Sequence, residues 1–365
     1  MGFRCGIVGL PNVGKSTLFN ALTQTAAAQV GNYSFCTIQP NIGDVAVPES
    51  RLDIIADIAK SAERVPARMN FVDIAGLVRR ASKGEGLGNQ FLANIRETDA
   101  IIHVLRCFEN EDITHVDGRI DPLADLDTVQ TELMLADLES LEKRRFNLEK
   151  KSRQKDEDAK AALVLVDRAI AVLSKGQPAR TARIERDEEK VWQMLQLLTA
   201  KPVLYVCNVD EDSAATGNVF SDKVIAHAEA ENARVVIISA QIESELALLS
   251  GEERDEYLHA ISLAEPGLNR LIQAGYTLLG LKTYFTAGPK ESRAWTYVDG
   301  WTAPKCAGVI HTDFEKGFIR AEAIAYTDYV EHDGEQGARE AGKVRQEGKD
   351  YAVRDGDIML FKFNV

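Results

Sequence analysis

The chain has 365 residues and a formal net charge of −13 at pH 7, with 45% hydrophobic and 27% charged residues. This length allows two or three domains with at least one sizeable core, and the acidic balance argues against binding nucleic acid, DNA included, over the whole surface. No apolar run is long enough to span a bilayer, and no signal-peptide pattern opens the chain. The composition therefore predicts a soluble globular protein without a membrane partner.

Five cysteines are scattered along the chain without a C-x-x-C pair. This spacing argues for a reducing compartment and against a zinc site or a disulfide framework. We expect a cytoplasmic protein that is a monomer, and the sequence leaves a redox role of Cys36 open.

The first motif is a loop at residues 9–16, G-L-P-N-V-G-K-S, which fits the phosphate-binding pattern G-x-x-x-x-G-K-[ST]. An apolar strand at 3–8 precedes it and an amphipathic helix follows, so an ordinary glycine-rich turn is the weaker alternative. Backbone N–H groups and the helix N-terminus suit phosphate oxygens. Lys15 is expected to reach the β- and γ-phosphates, and Ser16 to offer its hydroxyl to Mg²⁺. The predicted nucleotide contacts are Asn12, Val13, Gly14, Lys15, Ser16 and Thr17.

Two further segments suit a Mg²⁺ site that senses the nucleotide. Residues 32–41 have the character of a loop, in which Thr37 could complete the Mg²⁺ shell or be purely structural. A short strand then ends in D-x-x-G, where Asp73 is expected to hold Mg²⁺ through water and the N–H of Gly76 to meet the γ-phosphate. The glycine-rich stretch 83–88 that follows is typical of a switch.

A helical insertion follows the apolar strand at 100–105, in which His103 is interpreted as a core residue. From about 126 to 200, two apolar stripes at helical spacing flank a charged run. This pattern predicts an antiparallel, coiled-coil-like hairpin. Residues 143–155 include seven basic residues, which could touch a nucleic acid or simply stay solvated.

Strand character resumes at 202–207, and the ends of this strand and of the next are expected to read the base. The first is followed by Asn208-Val-Asp-Glu, whereas GTPases carry N-K-x-D, whose aspartate takes the hydrogens of guanine N1 and N2. Glu211 replaces that aspartate and Val209 replaces the lysine. We predict a pocket that prefers ATP over GTP, formed by Asn208, Val209, Glu211, Ser239 and Ala240.

These motifs together resemble the YchF-type Obg-like ATPases over essentially the whole chain. The resemblance rests on residues 9–16, 35–38, 73–77, 83–91 and 208–211, and on 283–285, 293–296, 310–320 and 361–365 in the β-rich C-terminal part. It implies an ATP-preferring, Mg²⁺-dependent ATP hydrolase of the translation-factor GTPase class, acting at the ribosome as a nucleotide-controlled switch. Two alternatives are a GTPase with relaxed base choice and a scaffold that ATP merely locks.

The sequence patterns and the resemblance together give the predicted domains. They are an α/β P-loop NTPase domain with a mainly parallel sheet at 1–126 and 200–279, the helical coiled-coil insertion at 127–199, and a TGS domain of β-grasp type at 280–365. The hairpin tip and the C-terminal domain are expected to contact the large ribosomal subunit, with residues 143–155 on ribosomal RNA.

The usual water-positioning group is missing from the sequence, because Leu77 stands where Ras-like enzymes carry glutamine. By the resemblance His115 is the candidate, and a loop histidine without catalytic duty is the alternative. Asn12 resembles the potassium-coordinating asparagine of some related GTPases, which makes K⁺ a candidate second cation. The predicted catalytic residues are Lys15, Gly76 and His115.

Overall fold

The computed structural model describes residues 3–30, 41–74, 87–114, 118–154 and 156–364, except for the side chains of 26–30 and 87–90. Its strands are β1 (Arg4–Val8), β2 (Ile42–Ala46), β3 (Glu63–Val65), β4 (Arg68–Asp73), β5 (Ala100–Arg106), β6 (Val203–Asn208), β7 (Arg234–Ile238), β8 (Leu281–Thr286), β9 (Glu291–Val298), β10 (Phe318–Ile324), β11 (Arg345–Glu347) and β12 (Ile358–Phe363). Its helices are α1 (Lys15–Val30), α2 (Ser50–Ala59), α3 (Leu87–Arg96), α4 (Pro122–Ser152), α5 (Glu157–Leu173), α6 (Glu189–Met194), α7 (Val219–Ala230), α8 (Ala240–Leu246), α9 (Gly251–Ala260), α10 (Gly267–Leu278), α11 (Ala303–Ile310), α12 (Thr312–Lys316), α13 (Tyr326–Glu331) and α14 (Glu335–Glu340), with a 3₁₀ turn at Ala179–Thr181.

Contacts divide the chain into two compact units, Met1–Asp44 with Asn70–Leu271, and Val45–Met69 with Ile272–Val365. The first unit is built on a sheet of order β2-β4-β1-β5-β6-β7. Strands β4, β1, β5, β6 and β7 run parallel. Every residue of β5 and β6 is buried, as expected for central strands of a parallel sheet covered on both faces. The carboxyl ends of the parallel strands therefore meet at one edge of the sheet.

Helices α4 and α5 form the predicted hairpin within the first unit. Leu141 of α4 packs in one buried cluster with Leu165, Val166 and Ala169 of α5. Asp137 is buried on α4, where it accepts hydrogen bonds from Leu198 N (2.9 Å), Thr199 N (2.8 Å) and Thr199 Oγ1 (2.7 Å). This carboxylate fixes the segment that returns the chain to β6.

The second unit contains a mixed sheet of order β11-β10-β12-β8-β9-β3. The β10–β11, β10–β12 and β8–β9 pairs are antiparallel, whereas β12–β8 and β3–β9 are parallel. Its core holds the fully buried Tyr284 and Tyr297, whose hydroxyls donate to Cys306 O and Val353 O, each at 2.9 Å. The predicted class, an α/β P-loop domain with an inserted hairpin and a β-rich C-terminal domain, is confirmed.

Residues 45–69 are grouped with the C-terminal unit, whereas the sequence patterns suggested that they belong to the nucleotide-binding domain. Strand β3 pairs with β9, and Ser61 Oγ donates to Gly288 O at 2.7 Å across 227 positions of sequence. Strand β3 has three residues, two of them charged, and therefore shows no alternation of apolar and polar residues. It can be recognised only from its pairing with β9. The three-domain division stays a prediction. No helix of the described residues has the length and apolar character that crossing a membrane requires.

The buried His103 on β5 generates a prediction about acid stability. Its Nε2 has no hydrogen-bond partner among the described residues, and burial lowers its pKa from 6.5 to about 3. A folded-state pKa below the unfolded value means that stability falls as pH drops through this window. We expect wild type to lose about 2 kcal/mol more unfolding free energy than His103→Leu between pH 7.5 and pH 5.

Urea unfolding at the two pH values measures this difference. The exposed His259→Gln is the matched control and should keep the wild-type pH response. An equal acid response in wild type and His103→Leu would contradict the assignment of this histidine as a neutral core residue.

Candidate functional site

The glycine-rich loop connects β1 to α1 in a conformation that requires glycine at two of its positions. Gly9 has φ +152° and Gly14 has φ +97°, and a Cβ at either would collide, with Val104 O at Gly9 and with Asn208 Nδ2 at Gly14. Asn12 is also left-handed, with φ 61°, which asparagine tolerates better than most residues. Glycine at 9 and 14 and asparagine at 12 therefore allow the backbone conformation of the loop at the end of β1.

Asn208 at the end of β6 joins the loop to the next strand end. It is 5% exposed, its Nδ2 donates to Val13 O (2.9 Å), and its Oδ1 accepts from Ala240 N (2.9 Å). The sequence patterns suggested that Asn208 serves the base edge and that backbone groups around Val209 and Ser239 complete the pocket. In the structure both polar atoms of the Asn208 side chain are bonded to the protein itself, and the N–H of Ala240 is one of the two partners.

Lys15 and Asp73 form the charged end of the site. The ammonium of Lys15 is buried and donates to Leu10 O at 2.6 Å. Asp73 stands at the end of β4, and its Oδ1 is buried without a hydrogen-bond partner among the described residues. Burial raises the pKa of Asp73, and nearby Lys15 partly offsets that rise. Ser16 is exposed at the start of α1, so its hydroxyl is accessible.

A cavity of about 710 Å³ extends from this loop along the sheet edge. Four chain segments line it, and each follows a parallel strand of the first unit: the loop after β1, residues 108–113 after β5, 208–212 after β6, and 239–241 after β7. Ser239 Oγ is buried there and has no partner among the described residues. The volume suits a ligand of nucleotide size. Of the predicted contacts, Asn12, Gly14, Thr17, Asn208, Val209, Glu211, Ser239 and Ala240 line the cavity.

The cavity also includes residues that the sequence patterns missed. They are Phe108, Glu109, Asn110, Ile113, Asp210, Asp212 and Gln241. The segment 108–113 has no motif, and only its position after a strand that neighbours β1 could have indicated it. Glu109, Asp210, Glu211 and Asp212 bring four carboxylates to the part of the cavity formed by the segments after β5 and β6. A polyanion is therefore favoured at the Lys15 end of the cavity, and a neutral base at the end with the carboxylates.

Three predicted site residues, Thr37, Gly76 and His115, lie outside the described residues, as does Cys36. Thr114, the residue before His115, is described. Its carbonyl accepts a hydrogen bond from Asn12 Nδ2 at 3.2 Å. The segment that carries His115 is therefore tied to the glycine-rich loop.

A glycine-rich loop between a central parallel strand and a helix, with a buried lysine at its end and an aspartate on the neighbouring strand, defines a P-loop nucleotide hydrolase. Residues 4–130 match the family described as "50S ribosome-binding GTPase", and residues 281–364 match the YchF-GTPase_C family, described as "protein of unknown function (DUF933)".

Relatives cover the whole chain. It is 57% identical over 365 residues to the "Ribosome-binding ATPase YchF" of Haemophilus influenzae and 51% identical over 367 residues to that of Bacillus subtilis, with 100% of each chain covered. The solved Schizosaccharomyces pombe YchF GTPase superposes with a TM-score of 0.90 at 36% identity, covering 99% of this chain and 98% of that one. The chain belongs to the YchF family, which confirms the resemblance and the expected enzyme class.

The buried Lys15 generates a prediction for the ligand-free protein. Burial lowers the pKa of its ammonium from 10.5 to about 8, and the charge of Asp73 opposes part of that shift. The depressed pKa means that the ammonium destabilises the fold fully below pH 8 and less as pH rises toward 10.5. We expect Lys15→Met to be more stable than wild type at pH 7, with the difference shrinking by about 1 kcal/mol at pH 9.

Denaturant unfolding of both proteins without nucleotide measures the two differences. Lys143→Met, at an exposed position of α4, should show no such pH-dependent gain. A stability difference between Lys15→Met and wild type that is the same at both pH values would contradict the burial of a charged ammonium.

Proposed function

We propose that this protein is a Mg²⁺-dependent ATPase that prefers ATP over GTP and binds the large ribosomal subunit as a nucleotide-controlled switch. One observation carries the proposal. A single cavity connects the Lys15 loop to a base-reading segment whose Val209 and Glu211 depart from the guanine pattern. The names of the relatives leave base choice open, since they include both ATPase and GTPase.

The phosphate end has the groups that a triphosphate and Mg²⁺ require. Incoming phosphate oxygens would replace Leu10 O as the acceptor for Lys15, which is already desolvated. Ser16 Oγ and the hydroxyl of Thr37 would hold Mg²⁺, with Asp73 Oδ1 holding it through water, because this ion prefers oxygen ligands. The bound ion would neutralise the negative charge that develops on the phosphate oxygens during hydrolysis.

Hydrolysis also needs an oriented water, and we propose His115 for this role, with Gly76 N–H at the γ-phosphate. The bond from Asn12 Nδ2 to Thr114 O supports the first assignment, because it holds the neighbour of His115 against the glycine-rich loop. The same bond leaves Asn12 Oδ1 as the atom that would coordinate K⁺. Activity in K⁺ and in Na⁺ separates these two contributions.

The choice between adenine and guanine depends on the carboxylate of Glu211 and on the side chain of Val209, which stands where GTPases carry the lysine that packs on the purine ring. Val209 is 3% exposed and its N–H donates to Ile238 O at 2.9 Å, so it has neither the length nor the freedom of the lysine in N-K-x-D. Glu211 is exposed at the cavity and carries one methylene more than aspartate, which shifts its carboxylate out of register with guanine N1 and N2. Ser239 Oγ has no hydrogen-bond partner among the described residues. The pocket fails to reward guanine without being built to reject it.

We therefore expect ATP to bind more tightly than GTP, by roughly tenfold, because a carboxylate pair with the base is worth about 1–3 kcal/mol. Calorimetric titration of both nucleotides with Mg²⁺ measures this ratio. The double variant Glu211→Asp with Val209→Lys should shift the ratio toward GTP, and Glu211→Gln provides the control that removes the charge alone. Tighter GTP than ATP binding by wild type would overturn the proposed base preference.

The ribosome proposal rests on the hairpin tip together with the relatives' names. Lys143 and Arg145 are paired with Glu139 (2.6 Å) and Asp167 (2.8 Å) respectively. Lys150, Lys151 and Arg153 are exposed at the tip and have no acidic partner among the described residues. Beside them Phe146 is 60% exposed, with Lys150 Nζ at 4.1 Å from its ring centroid. Unpaired cations beside an exposed ring suit both the phosphates and the bases of RNA.

We expect the triple change of Lys150, Lys151 and Arg153 to glutamate to weaken binding to isolated large subunits by roughly tenfold or more at fixed salt, because each phosphate contact releases counterions. The dependence of binding on salt should also become shallower. The matched control reverses Lys175, Arg186 and Lys190, which are exposed in the same unit away from the tip. Co-sedimentation that the tip variant leaves unchanged would show that the tip is only solvated.

The remaining predictions concern location and assembly. Cys5, Cys107, Cys207 and Cys306 are all buried and free, in accord with a reducing compartment. On that basis we propose a cytoplasmic protein, and we propose separately that it acts as a monomer.

A further inference from the structure

Arg106 is a buried charge with no assigned role in the proposed reaction. It is the last residue of β5 and 1% exposed, which makes it the largest fully buried side chain of the described residues. Burial lowers the pKa of its guanidinium, and the charge of Asp125 opposes that change. A buried guanidinium is costly unless its N–H groups are satisfied, so its partners indicate what it is for.

The side chain of Arg106 donates three hydrogen bonds to carbonyls of one loop. Its Nε donates to Phe108 O (3.2 Å), its Nη1 to Ile113 O (2.8 Å) and its Nη2 to Asn110 O (3.1 Å). The guanidinium carbon also lies 4.7 Å from the ring centroid of Phe108. One planar fork therefore holds three points of a segment that has no helix or strand of its own.

The two ends of this loop have other attachments. Cys107 N donates to Asn208 O at 2.8 Å, and Asn218 Nδ2 donates to Cys107 O at 2.7 Å. At the far end Thr114 O accepts from Asn12 Nδ2. Between these two ends, the side chain that holds residues 108–113 at three points is Arg106.

The same residues form one wall of the nucleotide cavity. Phe108, Asn110 and Ile113, whose carbonyls Arg106 binds, all line it, together with the segments that follow β6 and β7. Because the residues that bind the guanidinium are also residues that line the cavity, the position of the wall depends on Arg106. Lysine could not substitute, since one ammonium cannot reach three separated carbonyls in a plane.

We propose that Arg106 is a positioning residue that holds residues 107–114 as the wall of the base end of the nucleotide site. This inference rests on the proposed function, because it takes the cavity to be the site of the nucleotide. Arg106 touches no substrate. It acts through the loop, and its loss should affect recognition of the nucleoside rather than of the phosphates.

The test compares two ligands that share the phosphate end only, Mg²⁺-ATP and Mg²⁺-tripolyphosphate. We expect Arg106→Lys and Arg106→Gln to weaken ATP binding by roughly tenfold, the size of one charge-assisted hydrogen bond, and to leave tripolyphosphate binding within about twofold of wild type. Because the loop leads into His115, kcat for ATP should fall together with affinity. Arg180→Lys is the matched control, since Arg180 is a partly buried arginine that binds Glu231 at 3.0 Å and not the loop.

The outcomes separate this inference from the proposed function. Wild type that fails to bind ATP removes the proposed function and the inference with it. Wild type that binds ATP, with folded Arg106 variants that bind ATP normally or lose both ligands equally, overturns the role of Arg106 alone.

If the Arg106 variants do not fold, hydrogen exchange of the wild-type protein with each of the two ligands provides the test. Amide hydrogen exchange at 108–114 should be slowed further by ATP than by tripolyphosphate. Equal protection by the two ligands would likewise overturn the role of Arg106.

Discussion

The amide of Asn208 is the interaction on which the geometry of the site depends. Its two hydrogen bonds tie the glycine-rich loop after β1 to the segment after β7, and Gly14 must lack a Cβ to admit it. A buried amide with both of its atoms engaged is expensive to disrupt, because any substitution leaves a carbonyl or an N–H unpaired. The phosphate end and the base end of the cavity are thereby held at a constant separation.

Two buried cations of this unit, Lys15 and Arg106, are satisfied in different ways. Lys15 has a single carbonyl partner, Leu10 O, and a flexible stem, so its bond can be exchanged for phosphate oxygens. Arg106 has three carbonyl partners on one loop and is rigid. The contrast matches the two tasks of the site. At the phosphate end the ligand must replace Leu10 O as the partner of Lys15, and at the base end it must fit a wall that Arg106 keeps in place.

Much of the fold follows from local patterns. The buried runs at β5 and β6, the helical stripes of the hairpin and the glycine-rich loop each have a short-range signature in sequence. The placement of residues 45–69 has none, because β3 depends on pairing with β9 far along the chain. The role of Asn208 shows the same limit at the site, since the motif names the residue but not which of its possible partners it binds.

The sequence by itself determined the chemistry of this protein: a lysine, a serine and an aspartate at spacings that suit a triphosphate and Mg²⁺, and two departures from the guanine motif. Each of those features lies within one short motif, at 9–16, 73–76 or 208–211, so local order is enough to express it. Tertiary structure alone decided that residues 108–113 form a wall of the site and that Arg106 supports it. Parallel strands bring their carboxyl ends together from distant parts of the chain, and no local pattern in sequence records which loops will meet there.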